Sequence, residues 1–269
     1  MKLRLQSLIV NSFVFLLGIL SLLAPFVVPQ ARTSAFSSTS FPVMVSLIIV
    51  LCVLILLFEA QSTILNAKLI AFLGVLIALN AGLRFLETAI PGPAGFSPVF
   101  FLIILAGYYF GGRVGFLMGA MTMLVSGLIT GGVGPWLPGQ MITAGWVGQS
   151  AGLLRFIFRK INLAGKPIEI ILLAVFSAIW GMLYGAIMNL WFWPFLAGAP
   201  GQTWFQGATL AENFGRYLTY YLATSVVWDV TRSIGNVLVV SFFARPVLQI
   251  FDRFNRRFSF QVIKEGEPL

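Results

Sequence analysis

Apolar residues along this chain gather in long runs instead of alternating with polar ones at every second or fourth position. The runs cover residues 7–28, 42–58, 69–86, 98–110, 114–130, 136–158, 168–196 and 217–243, and most are bounded by Gly, Pro or charged residues. Such runs have nowhere to hide in water, and a bilayer core of about 30 Å demands segments that satisfy their own backbone hydrogen bonds. The pattern therefore predicts an all-α integral membrane protein, a bundle of about eight transmembrane helices. The run at 98–110 reaches only about 20 Å at 1.5 Å per residue, so it needs shelter from neighbouring helices or local bilayer thinning. The runs at 168–196 and 217–243 are long enough to tilt or to extend past the membrane. The first run is longer than the h-region of a signal peptide and no small-residue cleavage site follows it, so it reads as a retained helix.

Composition agrees with this picture: 59% of the 269 residues are hydrophobic and 9% are charged. It also narrows the chemistry. The chain has no histidine, which removes the commonest metal ligand and the commonest general base. Its one cysteine, Cys52, lies inside an apolar run, so neither a disulfide framework nor a Cys cluster for a metal is expected. No G-x-x-x-x-G-K-[ST] phosphate loop is present, so any ATP-driven work needs a separate motor. No metal and no cofactor are expected, and an enzyme is disfavoured.

Charge sets the orientation. With the N-terminus inside, all of the 17 Lys and Arg residues except Arg32, Arg84, Arg216 and Arg232 fall on the cytoplasmic side, which fits an even number of spans with both termini inside. The net charge of +9 is thus mostly topology, with no basic stripe on a soluble segment to suggest nucleic-acid binding.

Small residues four apart, at Gly115 and Gly119, Gly127 and Gly131, Gly148 and Gly152, and Gly181 and Gly185, predict close helix contacts in lipid. A second stripe, Ala67, Ala71, Gly74, Ala78 and Gly82, runs along one face of the third span. Periodicity alone leaves two readings of it, an internal packing seam or a docking face for a partner's helix.

Two segments on the predicted outer side carry candidate ligand-binding groups. In 131–146, reading GGVGPWLPGQMITAGW, Gln140 and Thr143 are three apart and share a helix face below Trp136, which would act as an aromatic lid. In 189–204, Asn189, Trp191, Trp193 and Trp204 crowd the outer end of the seventh span. Trp193 and Trp204 also suit an interfacial aromatic belt. Charges inside spans are expensive. Asp229 and Arg232, three apart, are expected to form a structural ion pair, and Arg84 with Glu87 a second one beside the loop 88–97, whose Pro91, Gly92, Pro93 and Gly95 suit a lid.

The stretch SPVFFLIILAGYYFGGRVGFLMGAMTMLVSGLITGGVGPWLPGQMITAGWVG (97–148), with the AxxxA pattern at Ala67 and Ala71 and the Arg84 closing the same helix, resembles the substrate-binding S component of energy-coupling factor (ECF) vitamin transporters. The likeness covers about residues 66–255, six of the eight spans. It implies a six-helix domain at 61–255 that holds a vitamin near the outer face, small-residue motifs on its first helix that meet a transmembrane T component, two separate ATPase subunits, and residence in a prokaryotic cell membrane. The GPWLPGQM stretch (134–141) is similar to cobalamin-type members. Residues 1–60 form a two-helix extension the six-helix family does not require, and 256–269 a cytoplasmic tail. On these grounds Arg84, Trp136, Gln140, Thr143, Asn189 and Trp191 are expected to bind an amide-bearing, partly aromatic solute such as a cobalamin, and Ala67, Ala71, Gly74 and Ala78 to dock the partner. An autonomous secondary transporter or channel is the alternative, although no repeat relates the two halves of the chain.

Overall fold

A computed structural model describes residues 67–89, 97–134, 136–163, 165–196, 198–205 and 207–258, with isolated helical positions in the first sixty residues at Ser12, Phe15, Leu16, Gly18–Leu20, Leu47, Val50, Leu51 and Leu54. Most of the first two predicted spans lies outside the described residues, as does the candidate lid Pro91–Gly95. Among the described residues the chain is helical throughout: α1 (Ala67–Ala89), α2 (Val99–Phe110), α3 (Gly112–Thr130), α4 (Leu137–Lys160), α5 (Pro167–Phe192), α6 (Leu210–Thr224) and α7 (Val226–Phe258). Of these, α1, α3, α5 and α7 are each long and apolar enough to cross a membrane.

The centre of the bundle is made by the elements least able to stand alone in lipid. Helix α2 has 12 residues, about 18 Å, and Val99 to Tyr108 are all buried. Neighbouring helices give it the shelter that its length requires. Helix α4 carries Gln140, Gln149 and Arg155, and it packs against α2, α3 and α5.

Glycine makes this packing possible. Helices α2 and α3 are joined by one residue, Gly111, whose φ of 103° favours a residue without a side chain. Gly107 of α2, Gly115 of α3 and Gly148 of α4 then meet backbone to backbone, so that a methyl group on any of the three would overlap a neighbour's main chain. Gly119 lies against the Ala144 carbonyl and Gly152 against Gly112. Gly181 meets Ser233 and Gly185 meets the Asp229 carboxylate, which brings α5 against α7. Gly131 has a different role from the one its spacing suggested: it caps α3 in the left-handed conformation, with φ 67°.

The predicted eighth span, 217–243, is corrected by a break at Ser225. Helix α6 ends at Thr224 and α7 starts at Val226, running for 33 residues, about 50 Å, which exceeds the bilayer core. Helix α6 is amphipathic. It starts at a capping box in which Thr209 and Glu212 bond each other's backbone N–H groups, and it anchors inward through Tyr217 and Tyr221, while Leu210, Phe214, Leu218 and Leu222 stay exposed. The seventh span ends earlier than expected, at Phe192, and is followed by a 3-10 turn, Trp193–Phe195. The first predicted span also touches the bundle, where Phe15 lies 5.0 Å from the Trp146 ring.

The α1–α2, α3–α4 and α5–α7 connections lie at one end of the bundle, here called the loop end. The other end carries Arg113, Arg155, Arg159, Lys160, Lys166, Arg245, Arg253, Arg256 and Arg257, and is called the basic end.

Candidate functional site

Polar side chains in the half of the bundle nearer the loop end converge on the last two turns of α1. Arg84 reaches across to both neighbouring helices: Nη1 donates to Ser126 Oγ of α3 at 2.8 Å and lies 3.1 Å from Met123 Sδ, while Nη2 donates to Gln140 Oε1 of α4 at 3.3 Å. A planar guanidinium is suited to such a span because its donors leave in fixed, diverging directions. One turn earlier on the same helix, Asn80 is fully buried and donates to the Val99 carbonyl (2.9 Å) and to Thr122 Oγ1 (3.3 Å). Its Oδ1 accepts no hydrogen bond among the described residues. Glu87, one turn later, accepts from the Ser97 hydroxyl at 2.8 Å.

The wall opposite α1 comes from α5 and α7. Tyr184 of α5 is buried, its hydroxyl 3.9 Å from Met123 Sδ, and Arg232 stands 5.9 Å from its ring centroid. Arg84 and Arg232 both lie near enough to Glu87 and Tyr184 to act on them electrostatically. Two cations, two carboxylates (Glu87 and Asp229, the partner of Arg232) and a phenol therefore share this region.

Asp229 and Arg232 form the ion pair expected from their spacing, and it ties α7 to its neighbours. Arg232 also donates to the Gly181 carbonyl of α5 at 3.4 Å, and the Tyr221 hydroxyl of α6 donates to Asp229 Oδ2 at 2.7 Å. A charge pair at this depth is tolerable because each partner is also hydrogen-bonded.

The remaining candidates divide. Arg84 and Gln140 meet directly. Thr143 points inward as its spacing predicts, but its hydroxyl donates to the Gly139 carbonyl (2.8 Å) and sits beside Met188 of α5, away from the Arg84 bridge. Trp136 is 45% exposed, at the start of α4; its indole N–H donates to the Gly132 carbonyl and its ring lies over Gly134. Trp191 is buried in the main core beside Phe192, and Asn189 is half-buried one turn before Trp193. No hydrogen bond joins Asn189 or Trp191 to Arg84 or Gln140 among the described residues.

Asn80, Ser97, Met123, Ser126 and Tyr184 were not singled out by sequence reasoning. A signal existed for Asn80, a polar residue four before Arg84 in an apolar span, and for Ser126, a hydroxyl on a helix otherwise nearly apolar at that level.

The face of α1 that carries Ala67, Ala71, Gly74 and Ala78 is exposed among the described residues, and a methyl group on Gly74 or Gly82 would meet nothing within 4 Å. The stripe is therefore not a seam within the described bundle, whose contacts run through Leu73, Leu76, Ile77 and Asn80 on the other face.

A family model described as the ECF transporter substrate-specific component matches residues 68–243, well over half of the chain. The chain belongs to this family. No curated protein and no solved structure matches it. The match opens at the start of α1 and closes within α7, so it spans the bundle and leaves the first sixty residues outside. The protein is the substrate-specific component of a membrane transporter, and its family is one of transporter components, not of enzymes.

Proposed function

We propose that this S component captures a vitamin-like solute at the outer face of a prokaryotic cell membrane and hands it inward with a transmembrane T component and two ATPase subunits. The observation that carries the reading is the Arg84–Ser126–Gln140 bridge at the loop end of a bundle that the family model matches from α1 into α7. The positive-inside rule makes the basic end cytoplasmic, which puts this bridge on the outer side and both termini inside. Arg84, Gln140 and the Asn80 Oδ1, which accepts no hydrogen bond among the described residues, offer donors and an acceptor to an amide-bearing solute. Trp136 is proposed to cover the entrance, and Thr143, Asn189 and Trp191, which do not join the Arg84 bridge, are proposed to contact outlying parts of the solute. Cobalamin or a relative is the proposed solute, a choice supported by the GPWLPGQM stretch.

The outward stripe Ala67, Ala71, Gly74 and Ala78 is the proposed T-component face, since small residues on a helix face that no described residue covers allow another helix to approach closely. Phe15 and Gly18 of the N-terminal extension lie against Trp146 of α4, and the C-terminal end of the chain is proposed to be cytoplasmic. Uptake of labelled cobalamin in cells, with and without the T and ATPase subunits, tests the assignment together with titration of the purified chain. Binding by the chain alone and uptake only with the partners is the expected result. Uptake by the chain alone would favour an autonomous transporter, and failure to bind any cobalamin would remove the solute while leaving the family membership standing.

A further inference from the structure

At the basic end, far from the Arg84 bridge, the ends of α2, α4, α5 and α7 line an open cavity of about 590 Å³. Its lining is strongly cationic, with Arg155, Arg159, Lys166, Arg245, Arg253 and Arg256 set against two carboxylates, Glu169 and Asp252. Both carboxylates are already engaged. Glu169 accepts from the Tyr108 hydroxyl and from the Gly165 N–H at 2.5 Å, and Asp252 accepts from the Tyr109 hydroxyl at 3.2 Å and pairs with Arg256 at 2.9 Å. Arg155 is held over the Tyr109 ring at 4.4 Å. Arg159, Lys166, Arg245 and Arg253 are in no ion pair among the described residues, so the cavity carries an excess of positive charge directed at one space.

Topological bias alone would scatter basic residues over this end, as it does with Lys160 and Arg257, which do not line the cavity. Here Arg245, Arg253 and Arg256 of α7 line one cavity together with Arg155 and Arg159 of α4, and Tyr108 and Tyr109 each donate to one of the two acids. With the basic end on the cytoplasmic side, as the proposed function has it, the cavity faces the headgroups of that leaflet, and guanidinium forks match the geometry of phosphate oxygens. We propose that this cavity is a binding site for a phosphate-bearing anion, supplied by the headgroup of an anionic phospholipid of the cytoplasmic leaflet. The site is separate from the solute site, and occupying it would fasten the ends of four helices together.

The test uses the full chain in nanodiscs of phosphatidylcholine, doped with phosphatidylglycerol, with lipid retention read by native mass spectrometry and stability by thermal unfolding. Phosphatidylglycerol should be retained about tenfold more strongly than phosphatidylcholine, and the preference should fall to near parity in Arg159→Gln/Arg253→Gln. Arg159→Lys/Arg253→Lys should keep most of it, which separates lost charge from failed folding. A control pair, Lys160→Gln/Arg257→Gln, removes the same charge outside the cavity and should leave the preference intact; an equal loss there would overturn the site in favour of general surface attraction. In a second arm, glycerol 1-phosphate is added to pure phosphatidylcholine discs. Little stabilisation by the soluble anion supports the lipid as the source, whereas stabilisation that the cavity variants abolish supports the phosphate site with a soluble source. No response to either probe overturns the proposal. So does a cavity variant that keeps its lipid preference but no longer assembles with the T component, which would make the cavity a protein-docking surface.

Discussion

Arg84 and Gln140, 56 positions apart in the chain, hydrogen-bond at 3.3 Å, and the same guanidinium holds Ser126 at 2.8 Å. One side chain thus bridges α1, α3 and α4 at the proposed solute site. Its planar fork, and not only its charge, makes that geometry possible, because an ammonium group cannot hold two acceptors in diverging fixed directions. Arg84→Lys should therefore lower solute affinity about tenfold in isothermal titration, although the charge is kept. An unchanged affinity would mean that Arg84 acts only as a charge or is remote from the solute.

The meeting of Gly107, Gly115 and Gly148 predicts a sharp contrast between two small substitutions. Gly148→Ala forces a methyl group into the main chain of α3 and should destabilise the protein by about 1 to 3 kcal/mol, as overpacking does in cores. Gly74→Ala meets nothing within 4 Å and should leave stability within about 0.5 kcal/mol of wild type. Thermal unfolding in one detergent decides it, and similar effects from both changes would contradict the packing described.

Asp229 and Arg232 make a different stability prediction. Asp229→Asn leaves the Arg232 charge in a partly buried position without its partner and should cost about 3 kcal/mol, with α6 loosening as the Tyr221 bond weakens. The double change Asp229→Leu/Arg232→Met removes both charges and should recover most of that loss. A double variant as unstable as the single one would show that the pair does more than tie helices together.

Much of the fold is legible in the sequence because length and hydropathy alone decide which segments can live in lipid. The glycine pairs at 115/119 and 148/152 are legible for a similar reason: four-residue spacing puts both on one face, and only glycine permits the observed contact. The break at Ser225 is hidden, since no Pro or Gly marks it and the apolar run continues across it. Only the anchoring of α6 through Tyr217 and Tyr221 shows that 210–224 is a separate element. The site was half legible. Arg84 and Gln140 stand out as polar groups in apolar spans, but their meeting is a long-range event that periodicity cannot encode. Trp191 reads as a candidate from sequence because it stands beside the Asn189 amide, whereas packing in the main core beside Phe192 buries it.

The proposed docking role of the α1 face that no described residue covers predicts that binding and transport can be separated. Ala71→Leu adds bulk where the described bundle makes no contact, so solute affinity of the isolated chain should stay within about twofold of wild type while uptake with the T and ATPase subunits falls at least about tenfold. A parallel fall in both quantities would assign the stripe to the protein's own packing.

The central claim, that the Arg84–Gln140 region holds the transported solute, is tested most directly by identifying what the protein carries. The wild-type chain and Gln140→Ala are purified from cells grown in rich medium, and their small-molecule content is measured by mass spectrometry beside titration with the compound found. The account predicts a vitamin-like solute near one equivalent in the wild type, and an affinity lower by about ten- to a hundredfold in Gln140→Ala, whose loss leaves a polar group of the solute desolvated without a partner. Equal retention and equal affinity in both proteins would contradict it and place the solute elsewhere in the bundle.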